Sequence, residues 1–368
     1  MAIFLQSSSP TGRGRHKSLL QQVIRFAERA TTPLLPADYV ELFDPLRAAG
    51  QLRGRIVAIH VETADAVTIA IRPGHQWQGH TPGQYIRIGI DIEGIRQWRA
   101  YSLTNGPDSA RGLIAITVKA IPGGLVSNHL VRQAQIGTLV MLDQAAGEFV
   151  VEPKLTTKTL FVTAGSGITP VMGILRNLGD GLEETVVVHS APSAREVIFG
   201  SELRSMAKRG QIRLIEQHTD RDGMLNVAQI AALVPDYTER NTWACGPAGM
   251  LDAIEAHWNQ ADIAEQLTTE RFRPNVLVTG EGGRVSFARS GVSVDADGST
   301  PLLDAGEAAD VLMPSGCRMG ICFGCVVPLA EGAVRDLRNG EVTTAAPGDG
   351  VLIQTCISAA AGRCEIDL

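Results

Sequence analysis

Between residues 54 and 118 apolar and polar residues alternate. Ile56, Val61, Val67, Ile69, Ile71, Tyr85, Ile86, Ile88, Ile114, Ile116 and Val118 fall in short β-rich runs broken by Gly and Pro, the pattern of a small antiparallel barrel. After Pro153 the pattern changes. Buried strands predicted at residues 159–162, 184–189, 212–217 and 241–244 alternate with helical stretches, one of them at 171–178, as a parallel sheet covered by helices requires. Residues 267–274 read as a connector. Beyond them, strands at 276–280 and 284–288, a helix at 302–311 and strands around Val326 and Val351 predict a β-grasp.

Ahead of the barrel, Leu19, Leu20, Val23, Ile24 and Ala27 recur at intervals of three and four, one amphipathic helix with basic residues beside it. It either packs on the next domain or rests against an anionic membrane surface. A second short helix is read at 38–46. The expected division is a helical extension over 1–50, the barrel over 51–153, the parallel-sheet domain over 154–270 and the β-grasp over 271–368, a multi-domain chain as 368 residues suggest.

Charge changes the picture in one respect. Residues 275–368 hold twelve Asp and Glu against six Arg and no Lys, so the whole net charge of −6 lies there. An acidic end of this kind argues against nucleic acid and for a partner with a basic docking face. No run approaches the length of a membrane span, and residues 1–10 lack the basic start of a signal peptide, so the expected location is cytoplasmic, with the inner face of the membrane open through the first helix.

The candidate chemistry begins with cysteine. Cys317, Cys322 and Cys325 stand at C-x4-C-x2-C, with Cys356 thirty-one residues after the third, the spacing of a plant-type two-iron two-sulfur cluster. A zinc site is the alternative, but zinc ribbons use two short paired knuckles, and here the fourth Cys stands alone with no His near it. The remaining pair, Cys245 and Cys364, fits a reducing compartment better than a disulfide framework.

In the barrel, Arg99, Tyr101, Ser102, Leu103 and Thr104 form one run; Val118 and Lys119 precede Gly123, Gly124 and Ser127. Two glycines let backbone amides approach an anion, and a helix predicted from about Ser127 to Gln133 points its positive end the same way. An aromatic ring, a phosphate cradle and a basic residue suit a flavin nucleotide. In the next domain the strand at 159–162 ends in Thr163, Gly165, Ser166, Gly167, Thr169 and Pro170 before a helix, a dinucleotide pyrophosphate site without the usual G-x-G-x-x-G. The strand ending at His189 and Ser190 lacks the acidic residue that binds a free ribose 2′-hydroxyl, whereas Ser190 and Arg195 suit a 2′-phosphate, so NADPH is expected over NADH.

These motif sets, in this order, resemble the ferredoxin-NADP reductase superfamily, with a C-terminal plant-type ferredoxin domain, over about residues 54–368. The resemblance implies that Arg99 pairs with the flavin phosphate, that Tyr101 packs on the isoalloxazine and that Ser102 bonds near flavin N5. It also implies that Cys245, ahead of Gly246 and Pro247, lies at the nicotinamide. Two positions depart from simpler relatives: Phe323 stands where the cluster loop usually has Gly, and the chain runs on past Glu270, Arg271 and Phe272, where an aromatic otherwise ends the chain over the flavin.

The implied cofactors are FAD rather than FMN, the cluster and NADPH, with the flavin converting a hydride into single electrons. No general acid or base is called for, and His189 and His218 read as structural or cofactor-edge residues rather than proton donors. Residues 33–39, 42–46 and 52–55 extend the resemblance to actinobacterial reductases that serve membrane-bound stearoyl-CoA desaturases. Reductases of aromatic-ring or CoA-ester oxygenases share every catalytic motif, and a flavin and cluster redox sensor without turnover is a reading from another class.

Overall fold

The computed structural model describes residues 43–47, 50–106, 112–151, 158–177, 184–272, 278–279, 281–320 and 322–368. The first predicted helix lies outside them, as does most of the second, of which the 3-10 turn Pro45–Arg47 is seen. The predicted strand at 276–280 also falls largely outside.

Six antiparallel strands form the first domain: β1 (Arg53–Thr63), β2 (Ala66–Pro73), β3 (Tyr85–Ile92), β4 (Ile95–Ser102), β5 (Ile114–Lys119) and β6 (Leu139–Leu142), in the order β4-β3-β6-β1-β2-β5. A bridge between Leu103 and Ile116 brings the two ends together, closing the barrel. Alternation does the sorting: Ile69, Ile71, Ile86, Ile88, Ile114 and Ile116 are at most 2% exposed and fill the interior, while their neighbours face outward. Helix α1 (Leu125–Arg132) starts two residues earlier than its sequence suggests, because Gly124 takes the N-cap position.

The second domain is a parallel sheet in the order β11-β10-β7-β8-β9, made of β7 (Thr159–Ala164), β8 (Thr185–Ala191), β9 (Arg213–His218), β10 (Asn241–Cys245) and β11 (Leu267–Glu270). Leu160, Phe161 and Val162 are all fully buried, as a central parallel strand covered on both faces must be. Helices α2 (Ile168–Leu175), α3 (Gly200–Lys208), α4 (Val227–Leu233) and α5 (Ala248–Gln260) complete it. The expected connector at 267–274 is not one throughout: its first four residues pair in register with Thr242 to Cys245 as a fifth strand. Two β-branched threonines in that run suit a sheet edge, where main-chain pairing outweighs the run's polar side chains.

The third domain is a mixed sheet of β12 (Gly283–Phe287), β13 (Val292–Ala296), β14 (Val326–Asp336), β15 (Val342–Ala345), β16 (Leu352–Gln354) and β17 (Ser358–Ile366), with α6 (Leu302–Ala308) across it. β12 and β17 run parallel and the other pairs antiparallel, the β-grasp arrangement. Phe287, Leu302, Leu303 and Ile366 anchor its core. Among the described residues no helix is long and apolar enough to cross a membrane.

Candidate functional site

One cavity of about 850 Å³ is lined by all three domains: by Arg99, Tyr101 and Ser102 of β4, by Ser166 of the turn after β7 and Thr169 of the first turn of α2, and by Cys317 and Cys356 of the β-grasp. The barrel wall is set by strand parity. Thr117 and Lys119 of β5 face the cavity, and Lys119 also pairs with Asp65 at 2.5 Å. Val118, between them, points into the barrel core, as does Leu103. Thr104 is fully buried, with its hydroxyl on the Ala115 carbonyl at 3.3 Å. Of the predicted flavin residues, Leu103, Thr104 and Val118 therefore build the wall rather than face the space, and Thr117 is a lining residue that the motif reading missed.

Whether this space suits a flavin nucleotide is answered by its unpaired groups. Arg99 donates to the Trp98 carbonyl at 2.7 Å but makes no ion pair among the described residues. Burial, then the neighbouring Arg318 charge, pulls it down from 12.5 to about 10. A sequestered guanidinium without a carboxylate is the environment an anionic phosphate relieves. Ser102 is 3% exposed and its hydroxyl has no partner, an orphan that a ligand hydrogen bond would satisfy. Gly123, at φ +70, and Gly124, where a methyl would lie 2.5 Å from Ile121 and from Ser127 Oγ, leave the loop before α1 free of side chains. Ser127 Oγ donates to the Gly124 carbonyl at 3.3 Å, fixing that loop. Half-buried Tyr101 lies between them, its phenol pushed up by burial. These residues fit a flavin phosphate and ring.

The turn Gly165–Gly167 between β7 and α2 begins at Gly165 in the left-handed region, φ +56. At Gly167 a methyl would stand 2.0 Å from the Cys245 carbonyl, so only glycine lets this turn close on the end of β10. Thr169 Oγ1 donates to the Ser166 carbonyl at 3.0 Å, while Thr163 and Pro170 are buried behind the turn. Thr163 Oγ1 lies 2.8 Å from His189 Nδ1. His189 itself is driven down to about 4 by burial and by His218, and so stays neutral.

Cys245 is fully buried at the end of β10 and does not line the cavity; burial above all pushes its thiol well up. At Gly246 a methyl would meet Met250 Cε at 2.5 Å, and Pro247 caps α5. Ser190, expected to hold a 2′-phosphate, is 4% exposed and donates to Gln217 Oε1 at 2.6 Å. Arg195 is exposed in the turn after β8, so only one of the two predicted phosphate partners is free.

Beside the cavity floor stands Glu270, whose carboxyl is pushed up to about 8 by burial and whose Oε2 has no partner. Sequence reading placed it only as a neighbour of Phe272, which lines the same cavity at 38% exposure. Tyr85, from β3, is another lining residue that motif reading missed; burial, then its nearness to Cys317 and Cys322, raises its phenol. Nothing in a lone Glu or Tyr signals such a place; register between strands does.

The four predicted cluster cysteines come together as two pairs. Cys322 is drawn down to about 5 by a hydrogen bond from Cys317, by the amides of Cys317 and Gly324 at 3.1 and 3.4 Å and by Arg87. Cys325 and Cys356 sulfurs are 3.2 Å apart. Among the described residues no three His, Cys, Asp or Glu converge to hold one metal ion; two thiol pairs fit two irons. Phe323, in the family's glycine position, takes φ +55 with its ring 67% exposed, and Gly324 follows with Cys322 Sγ 3.4 Å from its missing methyl. The loop thus keeps a glycine-like backbone, at about 1–2 kcal/mol for a side chain in the left-handed region.

Comparison with known proteins decides the family. Residues 55–151 match the family described as oxidoreductase FAD-binding domain, 161–256 the oxidoreductase NAD-binding domain and 285–361 the 2Fe-2S iron-sulfur cluster binding domain. The chain is 45% identical over 377 residues to an "NADPH oxidoreductase" of Mycobacterium tuberculosis, covering 100% of this chain and 98% of that one. The chain belongs to the ferredoxin-NADP reductase superfamily. This reductase is also 30% identical over 275 residues to the "3-ketosteroid-9-alpha-monooxygenase, ferredoxin reductase component" of Mycobacterium tuberculosis, covering 69% of this chain and 76% of the relative. Phthalate dioxygenase reductase shares the fold, with a TM-score of 0.59 at 21% identity over 88% of this chain and 99% of that one. The present chain is an NAD(P)H oxidoreductase with FAD and a 2Fe-2S cluster, its three matched domains in this order.

Proposed function

We propose that this reductase draws electrons from NADPH and delivers them singly to a membrane-embedded acyl-CoA desaturase. The observation that carries the electron route is the shared cavity, where the flavin-facing residues of β4, the turn before α2 and two cluster cysteines meet. When bound, the flavin accepts a hydride and passes electrons one at a time to the cluster.

The chain's own residues do the rest. Arg99 and the loop before α1 hold the phosphate end; Tyr101 supports the ring; the Ser102 hydroxyl offers its hydrogen bond where the hydride arrives. The turn at Gly165–Gly167 takes the pyrophosphate, and Phe272 closes the cavity against water. Glu270, neutral near pH 7, holds its proton on a carboxyl inside the cavity without placing a charge there. Cys245, buried at the end of β10, backs the turn that takes the nucleotide, its carbonyl lying against Gly167.

Support for a desaturase comes from the likeness of residues 33–39 and 52–55 to desaturase reductases and from the charge division. The acidic third domain suits a basic cytoplasmic face, while residues 1–30, with five Arg and Lys against one Glu, suit anionic lipid. Relatives named as reductases of glycine betaine and ketosteroid monooxygenases favour a second reading, a soluble oxygenase partner. Membranes containing the desaturase, given stearoyl-CoA, oxygen and NADPH, should form product only when this protein is added. Added salt should slow electron delivery and leave flavin reduction unchanged. No stimulation by such membranes, together with turnover of a soluble ring-hydroxylating oxygenase, would replace the first reading by the second.

A further inference from the structure

Strand β3 turns Ile86 and Ile88 into the barrel and Arg87 out of it. The Arg87 guanidinium lies over the Trp98 ring, 5.1 Å from its centre, and pairs with Asp143 at 3.0 Å. It also reaches a different domain. A methyl on Gly316 or on Gly324 would stand 3.3 Å from Arg87 Nη2, and the same two methyls would stand 2.4 and 3.4 Å from Cys322 Sγ. A cation of the flavin barrel and a cluster sulfur therefore border the same two glycines, and any side chain there would drive them apart.

The charge is held in place and poorly screened on that side. The Arg87 side chain is 21% exposed and its Nε is buried without a partner, whereas Asp143 is 41% exposed, so solvent weakens the carboxylate's field more than the guanidinium's. Stacking on Trp98 fixes the planar group.

We propose that Arg87, although part of the flavin domain, sets the reduction potential of the cluster as a positioning residue. The inference rests on the reading of Cys317, Cys322, Cys325 and Cys356 as the cluster ligands. The step it acts on moves one electron from the reduced flavin to the oxidised cluster. No bond forms or breaks, no proton moves, and the cluster gains one negative charge. A fixed cation against a ligand sulfur stabilises that added charge and so favours electron transfer away from the flavin.

The test is redox titration of the holoprotein, following the cluster by electron paramagnetic resonance and the flavin by absorbance. Arg87→Gln should shift the one-electron equilibrium about tenfold against the cluster, a potential about 59 mV more negative, with the flavin potential unmoved. Arg87→Lys, which keeps the charge, should recover most of the shift. Asp143→Asn, which leaves the loop contact intact, should move the potential the other way. An unshifted cluster potential in Arg87→Gln, or an equal shift in Arg87→Lys, overturns the proposal. If Arg87→Gln does not retain its cluster, an unchanged or more negative potential in Asp143→Asn overturns it alone. Absence of any cluster signal in the unaltered protein would instead count against the ligand reading.

Discussion

Arg99 is the residue whose removal separates flavin binding from folding. Its guanidinium is largely sequestered, makes no ion pair among the described residues and faces Arg318 across the domain boundary. The fall from 12.5 to about 10 corresponds to about 3 kcal/mol of folding free energy withheld at neutral pH. A flavin phosphate would return that loss through charge-assisted hydrogen bonds worth about 1.5–3 kcal/mol. Arg99→Met keeps the apolar stem and deletes the charge. It should therefore leave the flavin-free protein at least as stable as the unaltered one, while weakening flavin binding by about 1.5–3 kcal/mol, roughly 10- to 150-fold in Kd. Fluorescence titration of flavin into the apoprotein gives the Kd, and thermal unfolding with and without flavin gives the stabilities. Loss of stability in the flavin-free variant with an unchanged flavin Kd would refute the reasoning, because Arg99 would then be a structural cation rather than a phosphate ligand.

Three further outcomes follow from other parts of the site. Cys356→Ser should abolish the cluster absorbance and leave the flavin spectrum intact, since the thiol belongs to the β-grasp and the flavin residues to the barrel; a normal cluster spectrum in that variant would remove Cys356 from the ligands. Arg195→Ala should raise the Michaelis constant for NADPH about tenfold or more with NADH nearly unaffected, the loss of one charge-assisted contact, and equal effects on both nucleotides would defeat the 2′-phosphate role. The Glu270 carboxyl, ordinarily near 4.5 and here raised to about 8, keeps a proton in the folded protein that the unfolded chain has lost. Its contribution to stability is thus present below about pH 4.5 and lost as pH rises to about 8. Glu270→Gln should flatten that decline between about pH 4.5 and 8, and thermal midpoints falling as steeply in the variant would show that another group causes it.

What the sequence determined was everything written in local repeats. Alternation from Ile56 to Val118 specified a barrel because side chains on a strand have a period of two, and the unbroken apolar run at Leu160–Val162 specified a strand covered on both faces. The cysteine spacing and the glycines of the turn before α2 were equally local, since a tight loop around a cluster or a phosphate restricts neighbouring residues along the chain. Tertiary structure alone decided which residues of each motif face the ligand. Leu103, Thr104 and Val118 sit in the motifs but point into the barrel wall, while Thr117 faces the cavity, because barrel closure fixes which parity is inside. Ser190 was legible as a small polar residue at a strand end, but Gln217 on the neighbouring strand β9 takes its hydroxyl. Glu270, Tyr85 and Arg87 carry no motif at all. Their environments arise from chains brought together across tens to hundreds of residues: β11 beside β10, and β3 beside a cluster loop more than two hundred positions away. Burial and electric field depend on distance in space, and a sequence pattern records distance only along the chain.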